Sequence, residues 1–76
     1  MAEYRIQVRE DKDTKDWEKI PYYDVEEQKE GSSTYIIPDG QLQEFADMVF
    51  HETYDIVEVR ISEIRNYQGF YFKKQG

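Results

Sequence analysis

Between Leu42 and Ile64 the hydrophobic positions change period once, and that change predicts a helix followed by a strand. At 100° per residue, Leu42, Phe45, Ala46 and Val49 fall in one narrow arc, with Met48 and Phe50 on its flanks. Further on, Val57, Val59 and Ile61 alternate with Glu58, Arg60 and Ser62, the period of a strand with one buried face. Asp39 stands where an N-cap belongs, with a carboxylate suited to the free N–H groups and dipole of a first turn, and the helix is expected to reach about Glu52.

The rest of the chain reads as strands and polar connections around this pair. Tyr4, Ile6 and Val8 alternate with Arg5, Gln7 and Arg9, which predicts a first strand. The run EDKDTKD has no apolar residue and reads as a solvated turn. Trp17 and Ile20 then resume the hydrophobic signal as a strand pairing antiparallel with the first, with Pro21 at its edge or end. VEEQKE has too little apolar content to anchor a helix and reads as a loop, and TYII is a short strand stopped by Pro38. NYQGFYFKK supplies the last strand, Tyr67 and Tyr71 facing one way and Phe70 and Phe72 the other. The expected fold is α+β, one domain over residues 1–76. It has a small antiparallel sheet of about four to five strands in the order ββ(β)αββ, with one amphipathic helix packed on one face.

Charge adds a second theme. The 76 residues carry a net charge of −7 at pH 7. Residues 10–63 hold 16 of the 17 acids against Lys12, Lys15, Lys19, Lys29 and Arg60, so this segment stands at −11 while both ends are mildly basic. Such a surface repels nucleic acid and membranes and attracts basic protein surfaces. No apolar run approaches a membrane span, the first ten residues lack the pattern of a signal peptide, and there is no cysteine, so a cytoplasmic protein is the expectation.

Candidate chemistry is sparse. Asp11 and Asp13 open something like a calcium loop, but Lys15 occupies a ligand position, Asp16 stands where glycine is needed and Tyr22 replaces the closing glutamate. The one histidine, His51, falls on the solvent side of the helix with Asp47 and Glu44. His51 and Asp47, with Glu44 as a second carboxylate, are therefore the candidate ligands for a divalent ion such as zinc, and Asp55 or a neighbouring molecule could supply a fourth. The alternative is an exposed histidine paired with Asp47, and no cofactor is the expectation. HETYD lacks the second histidine of a zinc-protease helix. No nucleophile motif or phosphate loop is present, which argues against an enzyme.

Seven tyrosines among many acids suit a protein-binding face, since each brings contact area and a polar tip. The residues expected to bind a partner are Tyr22, Tyr23, Glu26, Glu27, Glu30, Glu44 and Asp47. Their expected target is a basic protein surface that otherwise holds nucleic acid. With its stretches DKDTKDWEKIPYYDVEEQKE and DGQLQEFADMVFHETYD, the chain resembles the small acidic phage-encoded inhibitors of bacterial defence, anti-CRISPR proteins among them, in size and charge. That resemblance implies action in the host-cell cytoplasm on a partner such as a Cas nuclease, by competition with target DNA or with a domain motion. It carries over no residue roles. The other reading is a self-associating accessory domain whose last strand pairs with a sheet edge, leaving monomer or homodimer open.

Overall fold

The alternating pattern of the first strand and of the strand after the helix makes these two the centre of the sheet in a computed structural model, which describes residues 2–75. β1 (Ala2–Glu10) lies antiparallel to β5 (Ile56–Glu63), with Ile6 opposite Ile61 and Val8 opposite Val59. On the outer sides are β4 (Tyr35–Ile37), paired with the start of β1, and β6 (Gly69–Lys73), paired with β5. The sheet order is β4-β1-β5-β6, every pairing antiparallel. A separate two-stranded hairpin, β2 (Tyr23–Asp24) with β3 (Lys29–Glu30), packs beside β1. The fold is α+β.

α1 (Leu42–Glu52) covers one face of the sheet and buries Ala46, Val49 and Phe50 there, with Leu42 and Phe45 partly covered. These side chains meet Tyr4, Ile6, Ile37, Ile56, Val59 and Ile61 in one core. The helix ends where the periodicity ends, at Glu52. Its start differs from expectation: the N-cap is Gln41, without a side-chain cap, rather than Asp39. The Gln41 N–H instead donates to the Pro38 carbonyl at 3.1 Å, closing a turn in which Gly40 takes φ +80°. A chain leaving an edge strand has to reverse before a helix can begin, and the Pro-Asp-Gly sequence is used for that reversal.

Two further expectations are corrected by packing. Trp17 and Ile20 do not belong to a strand paired with β1. Trp17–Lys19 is a 3-10 turn whose N-cap Asp16 accepts the Glu18 N–H at 3.1 Å, and it crosses the sheet face opposite α1. Gln7 holds it there: its side-chain amide donates to the carbonyls of Trp17 at 2.7 Å and Ile20 at 2.6 Å. VEEQKE forms the hairpin turn and the whole of β3, with Gln28 at φ 53° and Val25 buried as its anchor.

In β5 the register shifts between Arg9 and Glu10, so that Arg9 faces Glu58 while Glu10 faces Ile56. Val57 occupies the resulting bulge. Ile56 is thereby turned into the core and Val57 is left half-buried, where plain alternation places Val57 inside. β6 matches its expected division at residues 70–72, where Phe70 and Phe72 pack on the core and Tyr71 lies on the opposite face, largely exposed, but not at Tyr67, which falls outside the strand. Tyr67 lies before β6 in a tight turn, at φ 58°.

Candidate interaction surface

Amphipathicity fixes the outer face of α1. With Ala46, Val49 and Phe50 inward, Glu44, Asp47 and His51 point to solvent. Asp47 does not pair with the imidazole; its carboxylate accepts the Gln43 side-chain amide at 2.9 Å, one turn back. His51 lines an open hollow of about 360 Å³ with Phe50, Tyr54 and Lys74, whose ammonium donates to the Tyr54 carbonyl at 3.1 Å. The candidate ligands His51, Asp47, Glu44 and Asp55 are not brought together. Asp55 lies instead beside Glu10, Asp11 and Lys12, and among the described residues no three potential ligands gather around a metal position.

The hairpin carries the second group of expected contacts. Glu26, Glu27 and Glu30 are all exposed, and Lys29 sits 3.8 Å from Glu27. Tyr35 ties this hairpin to the helix side of the sheet: its hydroxyl accepts the Val25 N–H at 2.8 Å and its ring lies 5.4 Å from that of Phe45. These contacts seat the hairpin against the helix-covered side of the sheet. Tyr22 and Tyr23 differ from expectation as free anchors. Both are half-buried, Tyr23 against the core and Tyr22 with its ring 5.1 Å from the Arg5 guanidinium, a stacking contact that draws the ring onto the opposite sheet face. Tyr54 and Tyr67 are the tyrosines most open to solvent.

Asp24 organises the hairpin. The hydroxyl of Ser33 donates to one carboxylate oxygen and the Glu27 N–H to the other, at 3.0 Å. These bonds, that of Ser33 foremost, hold its carboxyl below the ordinary value. The folded chain then binds this proton less readily than the unfolded one. The stabilisation is complete above the ordinary aspartate pKa of ~3.9 and is lost as pH falls through the lower folded value. Carboxyl resonances followed through an acid titration should show Asp24 titrating below the ordinary aspartate value, and Asp24→Asn should remove the matching acid step at the Glu27 amide. An Asp24 midpoint at the ordinary value would contradict this.

The disposition of charge is the clearest electrostatic feature. Thirteen of the 17 carboxylates are on exposed residues, and the ion pairs among the described residues involve only Glu10, Glu27 and Glu58. The arginines behave differently. Arg5, Arg9 and Arg60 all project onto the sheet face away from α1, because they alternate with Tyr4, Ile6, Val8, Val59 and Ile61. Arg9 is buried and ion-paired with Glu58; Arg60 donates to the Gln7 amide oxygen at 2.8 Å and lies 5.7 Å from the Tyr71 ring centroid. Trp17 closes the layer against Tyr71, ring centroids 6.0 Å apart.

Sequence reading assigned this second face to solvent and so missed Arg5, Gln7, Arg60 and Ser62 as a cluster. The usable signal was that both flanking segments brought aromatics, Trp17 and Tyr71, which need cover, to strands whose polar positions hold arginine and glutamine. No helix among the described residues is long and apolar enough to cross a membrane. No family model matches the chain, and neither a curated protein nor a solved structure is significantly similar to it.

Proposed function

We propose that this protein is a non-catalytic inhibitor that docks its acidic helix-and-hairpin side onto a basic surface of a partner which otherwise holds nucleic acid. The observation that carries this reading is the segregation of charge. Three of the four arginines are drawn onto one sheet face, where tyrosine rings and Glu58 engage them, while Glu26, Glu27, Glu30, Glu44 and Asp47 stand exposed beside few cations. Carboxylates spaced along a rigid helix and a hairpin can occupy Lys and Arg side chains spaced for phosphates, and their field speeds the encounter at low salt. A nucleic-acid enzyme of bacterial defence, such as a Cas nuclease, is the partner the size-and-charge resemblance supplies.

The test is capture from bacterial lysate on the immobilised full chain. A bound nucleic-acid-binding protein should be released by added duplex DNA and by salt raised to ~0.5 M, where the Debye length falls well below 10 Å. Reversing Glu44 and Asp47 together to lysine should weaken that binding at least about tenfold while leaving the unfolding midpoint nearly unchanged, because solvent-face substitutions seldom cost much folding energy. Binding indifferent to both salt and reversal would overturn the proposal.

A second reading rests on β6, which is an edge of the sheet with Tyr71 largely exposed. An open edge can pair with another copy. Light scattering separates the two: a dimer dissociated by Lys73→Pro, at a position whose N–H faces the open edge, favours edge pairing, and a monomer favours the inhibitor.

A further inference from the structure

The sheet face opposite α1 holds a group of polar atoms left unsatisfied among the described residues. Across β1 and β5, Arg5 stands directly opposite Ser62 and Gln7 opposite Arg60, so Arg5 and Arg60 are diagonal neighbours with Ser62 at the corner between them. The Nε atoms of Arg5 and Arg60 and the Oγ of Ser62 are all buried, and none has a hydrogen-bond partner among the described residues. Ser62 itself is only 8% exposed. In native proteins such atoms are rare, and three on adjacent residues of one face mark a place prepared for something else to bond.

Charge at this corner is equally unspent. Among the described residues neither guanidinium has a carboxylate at ion-pair distance, in a chain with 17 acids. Instead Arg5 lies over the Tyr22 ring, while Arg60 lies over Tyr71 and gives one Nη to the Gln7 amide oxygen at 2.8 Å, leaving its other donors free among the described residues. Gly69, opposite Ser62 on β6, leaves the room that Arg60 uses: a Cβ there would come within 2.8 Å of the Arg60 Nε. Two forked cationic donors and a hydroxyl around one corner offer more bonds than the two oxygens of a carboxylate can take, and match the three oxygens of a phosphoryl group.

We propose that the Arg5–Ser62–Arg60 corner is an oxyanion site that takes a phosphoryl group, free or carried by a nucleoside monophosphate. Long arginine side chains admit such a group by a change of rotamer, without backbone movement. The net charge of −7 argues for a small ligand, since a nucleic-acid strand brings many phosphates into a repulsive field and a monophosphate brings one. Tyr71, largely exposed beside Arg60, offers a face for a base to stack on. The site lies on the sheet face away from the proposed acidic docking side, so either can fail alone.

The test uses the full chain labelled with 15N and follows the arginine Nε–Hε resonances during addition of sodium phosphate, against sodium chloride at matched ionic strength. Phosphate should shift Arg5 and Arg60 saturably and chloride should not. Arg60→Gln and Ser62→Ala should each weaken phosphate about tenfold with the amide spectrum otherwise retained, and Lys12→Gln should leave it unchanged. Adenosine monophosphate distinguishes the sources. Affinity equal to that of phosphate identifies the phosphoryl group alone as the ligand, and tighter binding with Tyr71 ring shifts identifies a nucleotide. Equal small shifts with phosphate and chloride, or folded Arg60→Gln binding phosphate as the parent does, would overturn the site.

Discussion

Replacing Ile56 by alanine should destabilise the fold by about 4 kcal/mol, while the same change at the adjacent Val57 should cost about 1 kcal/mol or less. Ile56 is 1% exposed and packs in the core, whereas Val57 is half-buried in the bulge. At ~0.05–0.15 kcal/mol per residue, a chain of 76 residues is stable by only about 4–11 kcal/mol, so Ile56→Ala removes a large part of the margin. Urea unfolding of the two variants beside the parent reads the difference directly. Equal losses, or a larger loss at Val57, would mean that β5 keeps plain alternation and that the register shift at Arg9 and Glu10 is absent.

The second large effect belongs to the covered ion pair. Glu58 accepts from both the Nε and an Nη of Arg9, the Nε bond being 3.0 Å long. Glu58→Ala would leave a guanidinium on a residue 7% exposed, with the Glu10 carbonyl at 3.3 Å as its remaining acceptor. Stranding a buried charge in this way costs about 3–5 kcal/mol; because the Glu58 side chain is 18% exposed and water can screen the site, the low end, about 3, is expected. Replacing both members, Arg9→Met with Glu58→Leu, should recover most of that loss, since the pair offsets its own desolvation and adds little beyond it. Chemical denaturation of the three variants checks this. A double variant no more stable than Glu58→Ala would show that the pair supports the sheet in its own right.

These two residues also mark where sequence reading succeeds and where it stops. Periodicity locates β1, β4, α1, β5 and β6 because each has one face that must be covered, and covering decides the period. Ile6, Val59 and Ile61 therefore appear as core from the pattern alone. The bulge does not, since its cause is the pairing of β5 with β1 at Glu10 and nothing in IVEVRIS demands it. The Asp39 cap fails for a related reason: the same side chain suits a turn and an N-cap, and the position of the preceding strand chooses the turn.

The interaction surface was legible to an uneven degree. Exposure of Glu44 and Asp47 follows from the helical wheel, and that of Glu26, Glu27 and Glu30 from the polar hairpin sequence. The half-buried state of Tyr22 was not legible because the sequence does not say that residues 17–22 wrap a second face of the sheet. That face exists because Trp17, Tyr22 and Tyr71 find cover there on Arg5, Gln7 and Arg60, a tertiary arrangement with no local signature. Phe45 shows a milder form of the same limit: it lies within the predicted arc yet is only partly covered, its ring resting on Tyr35.

Central to the functional account is a molecule that turns its arginines toward the sheet and its carboxylates toward a partner on one side. Titration with a short arginine-rich peptide, followed by backbone amide shifts at low salt, addresses this most directly. The account predicts shifts concentrated at residues 24–30 and along the outer face of α1 at Glu44 and Asp47, fading together as salt is added. Shifts spread evenly over the surface, or centred on the face that carries Arg5 and Arg60, would contradict it.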